Sequence, residues 1–324
     1  KIEKIFFSDN GSTANEVALK MSIQYWFNKG EKRNRFISLK GDYHGDTFGS
    51  MSLTARGGFN EPFERFMFDV DFIDIPTEKN RTEVLIRFED LLKTNDIAAF
   101  IFEPIVQGAG GMIMHSPRVL SELIGLCNQY GVIAISDEVF TGFGRTGKMF
   151  AIDHCENKPD IVCLSKGLTG GFMAMGITAV SDKIYQAFYS DDKRKTFLHG
   201  HSYTGNALAC SVANASLDLF EKEDVWQNIE TISEMQREFV RLILSNPMVR
   251  AARSFGTIAA VELEANEVSS YFNEEGKEAY KFLLEKGIIL RPLGNVIVIV
   301  PPYCISKEDL EYMYDSIKEY LTTP

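Results

Sequence analysis

The sequence predicts an α/β protein with a mainly parallel central sheet, followed by a smaller C-terminal α+β domain. Two observations indicate this fold class. Short apolar runs alternate with segments of helical periodicity through most of the 324 residues, which is typical of parallel strands buried on both faces. After about Phe220 the pattern changes to a long charged helix and short strands with polar flanks. We therefore predict a large domain over residues 1–220 and a small domain over residues 221–324.

Polar residues follow the apolar runs of the large domain. The predicted strands cover residues 4–8, 98–102, 132–135 and 161–164. The polar residues that follow them are, in chain order, Gly11 with Ser12, Glu103, Asp137 and Lys166. In parallel sheets, ligands bind beyond the carboxyl ends of the strands. These residues could therefore converge on one pocket.

The helices between these strands have recognisable ends. One helix is predicted to begin at Ser116 as N-cap, with Pro117 in its first turn, and to close at Gly131. An earlier helix closes at Gly30. The apolar residues at helical spacing in that earlier helix are Ala14, Val17, Ala18, Met21 and Tyr25.

The small domain is predicted from short helical and strand-like segments. A charged helix extends to about Leu244, and a second helix is expected over residues 276–286. Ser306 and Asp309 form a capping-box start for the last helix. The predicted strands of this domain cover residues 257–263, 288–290 and 296–300.

Composition and charge restrict the class of function. Hydrophobic residues make up 45% and charged residues 24%, which is typical of a globular protein. The net charge of −11 argues against a nucleic-acid partner bound through overall charge. We find no apolar run that could span a bilayer and no leader pattern, so we expect a cytoplasmic protein. The five cysteines include no Cys-x-x-Cys pair, which argues against a disulfide framework or structural zinc.

The glycine-rich stretch over residues 142–147 matches a dinucleotide-binding fingerprint letter by letter. Such a fingerprint should lie tightly between a strand and a helix. Here Asp137 and Glu138 intervene, and the residues after Met149 show no helical stripe. With Lys148 the stretch also approaches a P-loop, but Met149 replaces the hydroxyl that would bind magnesium. We predict a tight glycine loop instead.

The polar residues at the strand ends supply what pyridoxal phosphate needs from a protein. Lys166 offers an amine for a Schiff base, and Asp137 offers a carboxylate for the ring nitrogen. Gly11 and Ser12 at a helix start offer an anion site for the phosphate. Tyr43 offers an aromatic face for the ring. Each feature alone has an ordinary explanation as a surface lysine, a helix cap or a metal ligand, and their joint order favours the cofactor.

The residues resemble the class III aminotransferases of pyridoxal-phosphate fold type I over nearly the whole chain. The stretches that carry the resemblance are residues 9–12 (DNGS), 43–47 (YHGDT), 103–105 (EPI), 136–139 (SDEV), 142–147 (GFGRTG) and 164–167 (LSKG). Residues 43–52, 199–206 and 291–295, with 301–303, resemble one branch of this family. Phe140, where many relatives carry glutamine, also favours that branch. Its members move the amino group of S-adenosylmethionine to 8-amino-7-oxononanoate in biotin synthesis.

The resemblance implies a role for each matching residue. Lys166 would hold the cofactor and shuttle the proton, and Asp137 would meet the pyridine nitrogen. The residues implied in binding the cofactor are Gly11, Ser12, Tyr43, Asp137, Val139, Lys166, His201 and Ser202. The residues implied near substrate are Tyr43, Lys166, Gly200, Arg291 and Tyr303. His201 and Ser202 would reach the phosphate of the neighbouring subunit, which implies a homodimer. The reaction would be ping-pong and require no metal.

Three other functions remain open from the sequence. One is a class III aminotransferase acting on an omega-amino acid, ornithine or 4-aminobutyrate, and another is an aminomutase. The third is a non-catalytic binding protein, which would have no use for Lys166 and Asp137 together. Members of the family also carry a segment before the first strand, whereas this chain opens at Lys1 beside an apolar run. We therefore expect the sequence to be part of a longer polypeptide.

Overall fold

A computed structural model describes residues 2–57, 60–222, 224–265 and 272–322. Contacts divide the chain into two compact units. Unit 1 comprises residues 1–108, 115–143 and 150–219, and unit 2 comprises residues 109–114, 144–149 and 220–324. Two short segments that the sequence analysis placed in the large domain, residues 109–114 and 144–149, therefore belong to unit 2. No helix in the described part of the chain has the length and apolar content that crossing a bilayer requires.

The elements alternate along unit 1 and then change character in unit 2. The strands are β1 Ile2–Ser8, β2 Arg35–Leu39, β3 Val70–Ile73, β4 Ile97–Phe102, β5 Val106–Gln107, β6 Ile113–Met114, β7 Ile133–Asp137, β8 Ile161–Leu164, β9 Gly176–Ser181, β10 Val249–Phe255, β11 Ile258–Leu263 and β12 Val296–Ile299. The α-helices are α1 Gly11–Asn28, α2 Phe48–Leu53, α3 Arg81–Leu92, α4 Pro117–Tyr130, α5 Asp182–Gln186, α6 Ala207–Lys222, α7 Val225–Ile243, α8 Glu275–Glu285 and α9 Lys307–Tyr320. Short 3₁₀ turns cover Glu61–Phe66, Ala151–His154, Lys166–Thr169 and Lys193–Lys195.

The central sheet of unit 1 confirms the predicted fold class. Its strand order is β1-β9-β8-β7-β4-β2-β3. The ladders from β8 through β7, β4 and β2 to β3 are parallel. β9 pairs antiparallel with both β1 and β8. The parallel strands are short and apolar because they are covered on both faces, and every residue of β4, β7 and β8 is buried.

The ladder between β7 and β8 sets the position of two predicted site residues. Asp137, the last residue of β7, pairs with Cys163 of β8. Lys166 follows β8 by two residues and begins a 3₁₀ turn. Asp137 and Lys166 therefore lie at the carboxyl ends of neighbouring strands, where parallel sheets bind ligands.

The helix ends of unit 1 follow the predicted capping pattern. The Ser116 hydroxyl accepts the Val119 N–H at 3.3 Å, and Pro117 occupies the first turn of α4. The helix closes at Gly131 with φ +71°, a left-handed conformation that glycine adopts readily. Helix α1 ends at Asn28 with Lys29 as its C-cap, and the predicted Gly30 follows with φ +78°.

Unit 2 contains the antiparallel sheet β10-β11-β12. Helices α7, α8 and α9 pack their apolar faces into one core with this sheet, around Phe239, Ile297 and Ile317. The Ser306 hydroxyl accepts the Asp309 N–H at 3.0 Å and begins α9 as predicted.

The predicted strand over residues 288–290 is wrong. These residues follow Gly287, which has φ +78°, and they form no strand. The side chain of Ile289 is 84% exposed. Apolar residues alone predicted a strand here, but a strand also needs a hydrogen-bonded neighbour. Residues 142–149 form turns followed by a four-residue 3₁₀ turn, as expected for a glycine loop.

Candidate active site

Asp137 is the centre of a buried polar cluster in unit 1. Its Oδ2 atom accepts a hydrogen bond from the Asn15 side-chain amide at 2.7 Å and lies 2.8 Å from His44 Nδ1. Its Oδ1 atom accepts the backbone N–H of Val139 at 3.1 Å. Asn15 lies on α1, and its amide also donates to the His44 carbonyl at 2.8 Å. The carboxylate is therefore held in one orientation from both sides.

His44 lies between two carboxylates. Its Nε2 atom is 3.6 Å from Asp42 Oδ2 and 3.4 Å from the Ser38 hydroxyl. Burial disfavours a charged imidazole, but the interactions with Asp137 and Asp42 outweigh burial and raise the pKa of His44 to about 10. The two carboxylates therefore favour the charged form of the imidazole.

Glu103 positions the backbone beside this cluster. Its carboxyl group accepts the N–H of Tyr43 and the N–H of Gly108, each at 2.9 Å. Burial, together with the charges of Asp42 and Asp137, raises the pKa of Glu103 to about 8. Glu103 therefore keeps its proton to a higher pH than an ordinary glutamate does.

Lys166 has an unusual backbone conformation. Its φ is +45°, in a region that non-glycine residues rarely adopt and that is enriched at functional sites. Its side chain is exposed, and its Nζ atom lies 5.6 Å from the centre of the Phe140 ring. The turn that follows closes at Gly170 in the left-handed conformation. The backbone therefore projects an accessible amine at the end of β8.

The start of α1 forms a close-packed corner with the loop before α2. The Ser12 hydroxyl accepts the Thr47 N–H at 3.0 Å. A Cβ atom on Gly45, which has φ +125°, would lie 2.5 Å from Ser12 Cβ, and one on Gly11 would lie 2.5 Å from Val139 Cγ1. Both glycines are needed for this approach. The N-terminus of an 18-residue helix presents backbone N–H groups that suit an anion.

The remaining predicted residues lie outside this cluster. Gly200, His201 and Ser202 belong to a largely exposed segment of unit 1, where His201 Nδ1 accepts the Tyr203 N–H at 3.2 Å. Arg291 and Tyr303 belong to unit 2. Within that unit the Arg145 guanidinium lies 4.6 Å from the centre of the Tyr303 ring, and Arg291 is exposed.

Comparison with known proteins assigns the family. The family described as Aminotransferase class-III matches residues 1–321. The chain belongs to the class III aminotransferases. A Synechococcus elongatus relative named adenosylmethionine-8-amino-7-oxononanoate aminotransferase is 42% identical, over 99% of this chain and 77% of the relative. A Geobacter sulfurreducens relative of the same name is 37% identical, over 99% of this chain and 75% of the relative.

Solved structures of aminotransferases share the fold of this chain. The adenosylmethionine-8-amino-7-oxononanoate aminotransferase of Methanocaldococcus jannaschii matches with a TM-score of 0.91 and 37% identity, covering 98% of this chain and 76% of that one. A pyridoxal-phosphate-bound amine transaminase from an uncultivated Pseudomonas species also has a TM-score of 0.91, at 29% identity and with the same coverage. This class III aminotransferase is a pyridoxal-phosphate-dependent enzyme.

The residues of the cluster fit that cofactor. Asp137 is a buried acceptor whose charge is balanced, Lys166 is an accessible amine, and the glycine-lined corner at Ser12 leaves a helix N-terminus for a phosphate. Three members of the cluster, Asn15, Asp42 and His44, were not predicted as site residues. Asp42 and His44 follow β2 by three and five residues on either side of Tyr43, and His44 lies in the family stretch over residues 43–47.

Proposed function

We propose that this aminotransferase transfers the amino group of S-adenosylmethionine to 8-amino-7-oxononanoate, giving 7,8-diaminononanoate. The observation that carries the proposal is the 37–42% identity, over nearly the whole chain, to several relatives named for this activity. We also propose a cytoplasmic location, since such a reaction uses soluble metabolites.

Their geometry supports the roles that we propose for Lys166, Asp137, Gly11 and Ser12, and the match to the family motifs supports those of Tyr43 and Val139. When bound, pyridoxal phosphate withdraws electrons from the substrate and lets the alpha proton leave. Lys166 binds the cofactor and moves that proton, because its amine is accessible at the end of β8. The buried carboxylate of Asp137 keeps the pyridine nitrogen protonated. Gly11 and Ser12 bind the phosphate through the start of α1. Tyr43 and Val139 pack against the ring.

The substrate-binding roles concern Gly200, Arg291 and Tyr303. A guanidinium binds a carboxylate through two parallel hydrogen bonds, which suits Arg291 to the carboxylate of either substrate. Tyr303 offers an amphipathic ring, and Gly200 offers a backbone without side chain. These three roles rest on the match to the family motifs.

We further propose a homodimer that shares its active sites. The segment carrying His201 and Ser202 exposes apolar side chains, with Leu198 83%, Tyr203 70% and Leu208 70% accessible. Clustered apolar exposure of this kind marks a protein interface. His201 and Ser202 would then reach the phosphate bound by the partner.

A second function is another class III transamination, with an omega-amino acid, ornithine or 4-aminobutyrate as donor. The observation that favours it is the similar TM-score of other transaminases, such as 0.92 for a transaminase of 27% identity described with L-alanine. The lower identity of these structures places this function second.

The visible spectrum of the purified protein, loaded with pyridoxal phosphate, tests both proposals. We expect S-adenosylmethionine to bleach the cofactor band and 8-amino-7-oxononanoate to restore it. Bleaching by ornithine or 4-aminobutyrate, with no response to S-adenosylmethionine, would replace the first proposal with the second.

A further inference from the structure

Three polar side chains of α1 lie at helical spacing on one face of the helix. Lys20, Gln24 and Asn28 follow one another at intervals of four residues, which places them on one side of an α-helix. All three form hydrogen bonds to the same part of unit 1, residues 187–199. We call these three residues the α1 stripe.

The α1 stripe fixes the backbone of that segment. The Asn28 amide donates to the carbonyls of Ala187 and Lys195, each at 3.1 Å. The Gln24 amide donates to the carbonyls of Lys195 and Thr196 at 3.2 and 3.0 Å. Both of these side chains are half-buried, and hydrogen bonds to carbonyl oxygens are directional. The bonds therefore set the position of the segment along α1.

The segment is anchored again just before His201. Lys20 Nζ donates to His199 Nδ1 at 2.8 Å. Burial and the charge of Lys20 lower the pKa of His199, so Nδ1 keeps the lone pair that accepts this bond. The Phe197 ring also packs edge-on against Phe6 of β1, with ring centres 5.3 Å apart. Hydrogen bonds and packing therefore hold the chain up to two residues before His201.

The turn that follows is a compact unit. Thr204 Oγ1 accepts the His201 N–H at 3.3 Å and donates to the His201 carbonyl at 2.9 Å. After the turn, Asn206 Oδ1 accepts the Leu208 N–H at 2.9 Å at the start of α6. The turn is therefore held on one side by the α1 stripe and on the other by α6, and its position depends on both.

We propose that Lys20, Gln24 and Asn28 are positioning residues for the cofactor of the partner subunit. The α1 stripe holds the turn that carries His201 and Ser202 where these two residues reach the phosphate bound by the partner. The inference rests on the proposed homodimer with shared active sites. Breaking the α1 stripe of one subunit then weakens phosphate binding in the other subunit and leaves its own site unchanged.

Hybrid dimers with one functional lysine separate these two effects. Co-expressed chains with different affinity tags give each hybrid after two purification steps. In the trans hybrid, a wild-type chain is paired with a chain carrying Lys166→Ala, Gln24→Met and Asn28→Leu. In the cis hybrid, a Lys166→Ala chain is paired with a chain carrying Gln24→Met and Asn28→Leu. Both stripe substitutions remove the donor and nearly keep the size of the side chain. Gln24→Met alone replaces the pair if the two together prevent assembly.

We expect weaker binding of pyridoxal phosphate in the trans hybrid only, measured by titration of the visible band of the bound cofactor. Its Kd should rise about tenfold, the effect of losing one hydrogen bond to a charged group. The cis hybrid should match a hybrid of the wild type with Lys166→Ala. Pyridoxal, which lacks the phosphate, should bind both hybrids equally. Equal affinity of the two hybrids for pyridoxal phosphate, or weaker binding in the cis hybrid alone, would overturn the proposal.

Two controls make the result specific. Gln129→Met with Asn128→Leu changes the same residue types at exposed positions of α4, and should leave the affinity unchanged in either hybrid. His201→Ala with Ser202→Ala, placed in the Lys166→Ala chain, should weaken binding by its wild-type partner. No effect of this second control would contradict the proposed shared site itself. An effect there, with none from the α1 stripe, would contradict the positioning role alone.

Discussion

At the scale of single residues, the site depends on how buried charges are balanced. Asp42, His44, Glu103 and Asp137 lie buried in one group behind the proposed cofactor position. Burying an unpaired charge is strongly unfavourable. Here His44 lies between two carboxylates that raise its pKa, and the pKa of a third carboxyl group, Glu103, is also raised. The protonation state of the group therefore affects both stability and cofactor binding.

The first prediction concerns stability against pH. The native pKa of His44 is raised to about 10, so its stabilisation is complete below the unfolded pKa and is lost as pH rises through the native value. Between these limits the native state holds one more proton, and the free energy of unfolding should fall by up to about 1.4 kcal/mol per pH unit. The pKa of Glu103 is raised to about 8. Loss of its proton therefore also lowers the free energy of unfolding as pH rises. Urea unfolding of the cofactor-free protein measures this slope.

The control for this prediction is His44→Gln. The variant should be less stable at neutral pH and should have a shallower dependence on pH above about pH 7. An unchanged slope in the variant would mean that other groups carry the proton linkage.

Some site residues could be predicted from the sequence and others could not. Asp137 and Lys166 were recognisable because each follows an apolar strand, and parallel strands bring such positions to one edge. Asn15 and His44 are separated from Asp137 by 122 and 93 positions in the sequence. Only the folded chain shows that they bind the same carboxylate oxygen.

At the scale of elements, the corner between α1 and the loop before α2 depends on Gly45. Gly45→Ala would add a positive-φ strain and a collision with Ser12. We expect a loss of stability of about 2 kcal/mol or more and weaker binding of pyridoxal phosphate, measured by thermal unfolding and by cofactor titration. Gly30→Ala is the control, since Gly30 also has positive φ but no atom within 4 Å of the added Cβ.

Gly30→Ala should therefore lose only about 1 kcal/mol and bind cofactor as the wild type does. Equal effects of the two substitutions on cofactor binding would show that the contact between Gly45 and Ser12 does not shape the phosphate site.

Two helix caps provide a second test at this scale. The Asn10 side chain accepts the Thr13 N–H at 2.9 Å at the start of α1, and Ser306 caps α9 in unit 2. Asn10→Ala and Ser306→Ala should each cost about 1 kcal/mol in the free energy of unfolding. Only Asn10→Ala should weaken cofactor binding, because α1 carries the proposed phosphate site. Equal cofactor affinity in both variants would argue against that placement.

Element boundaries were predicted well where caps are local and poorly where partners are distant. Ser116, Gly131 and Ser306 mark helix ends through contacts within a few residues. The wrong strand over residues 288–290 depended on apolar composition alone. The antiparallel pairing of β9 with β1 joins strands more than 160 residues apart, which no local pattern encodes.

At the scale of the whole molecule, the proposed homodimer can be tested by charge insertion. Leu208→Asp places a carboxylate in the exposed apolar segment of unit 1, where Leu208 is 70% accessible. We expect light scattering to show a dimer for the wild type and a shift toward monomer for the variant, with loss of activity. Ile289→Asp, at an 84% exposed position in unit 2, is the control and should remain dimeric. A monomeric wild type would contradict the proposal.

The fold class and family were predictable because they depend on patterns that extend over the whole chain. The division into two units was harder to predict from the sequence. Residues 109–114 and 144–149 belong to unit 2 although they interrupt the sequence of unit 1. Such short segments contain too few residues to change the hydrophobic pattern from which domains are predicted.

The central claim is that Lys166 holds pyridoxal phosphate in this aminotransferase. Borohydride reduction of the loaded protein, followed by digestion and mass spectrometry, tests it most directly, because reduction fixes the cofactor to the lysine that binds it. We predict that the peptide containing Lys166 carries the added mass, and that Lys166→Ala carries none. Label on another lysine, such as Lys148, or no label on any peptide of the wild type would contradict the claim.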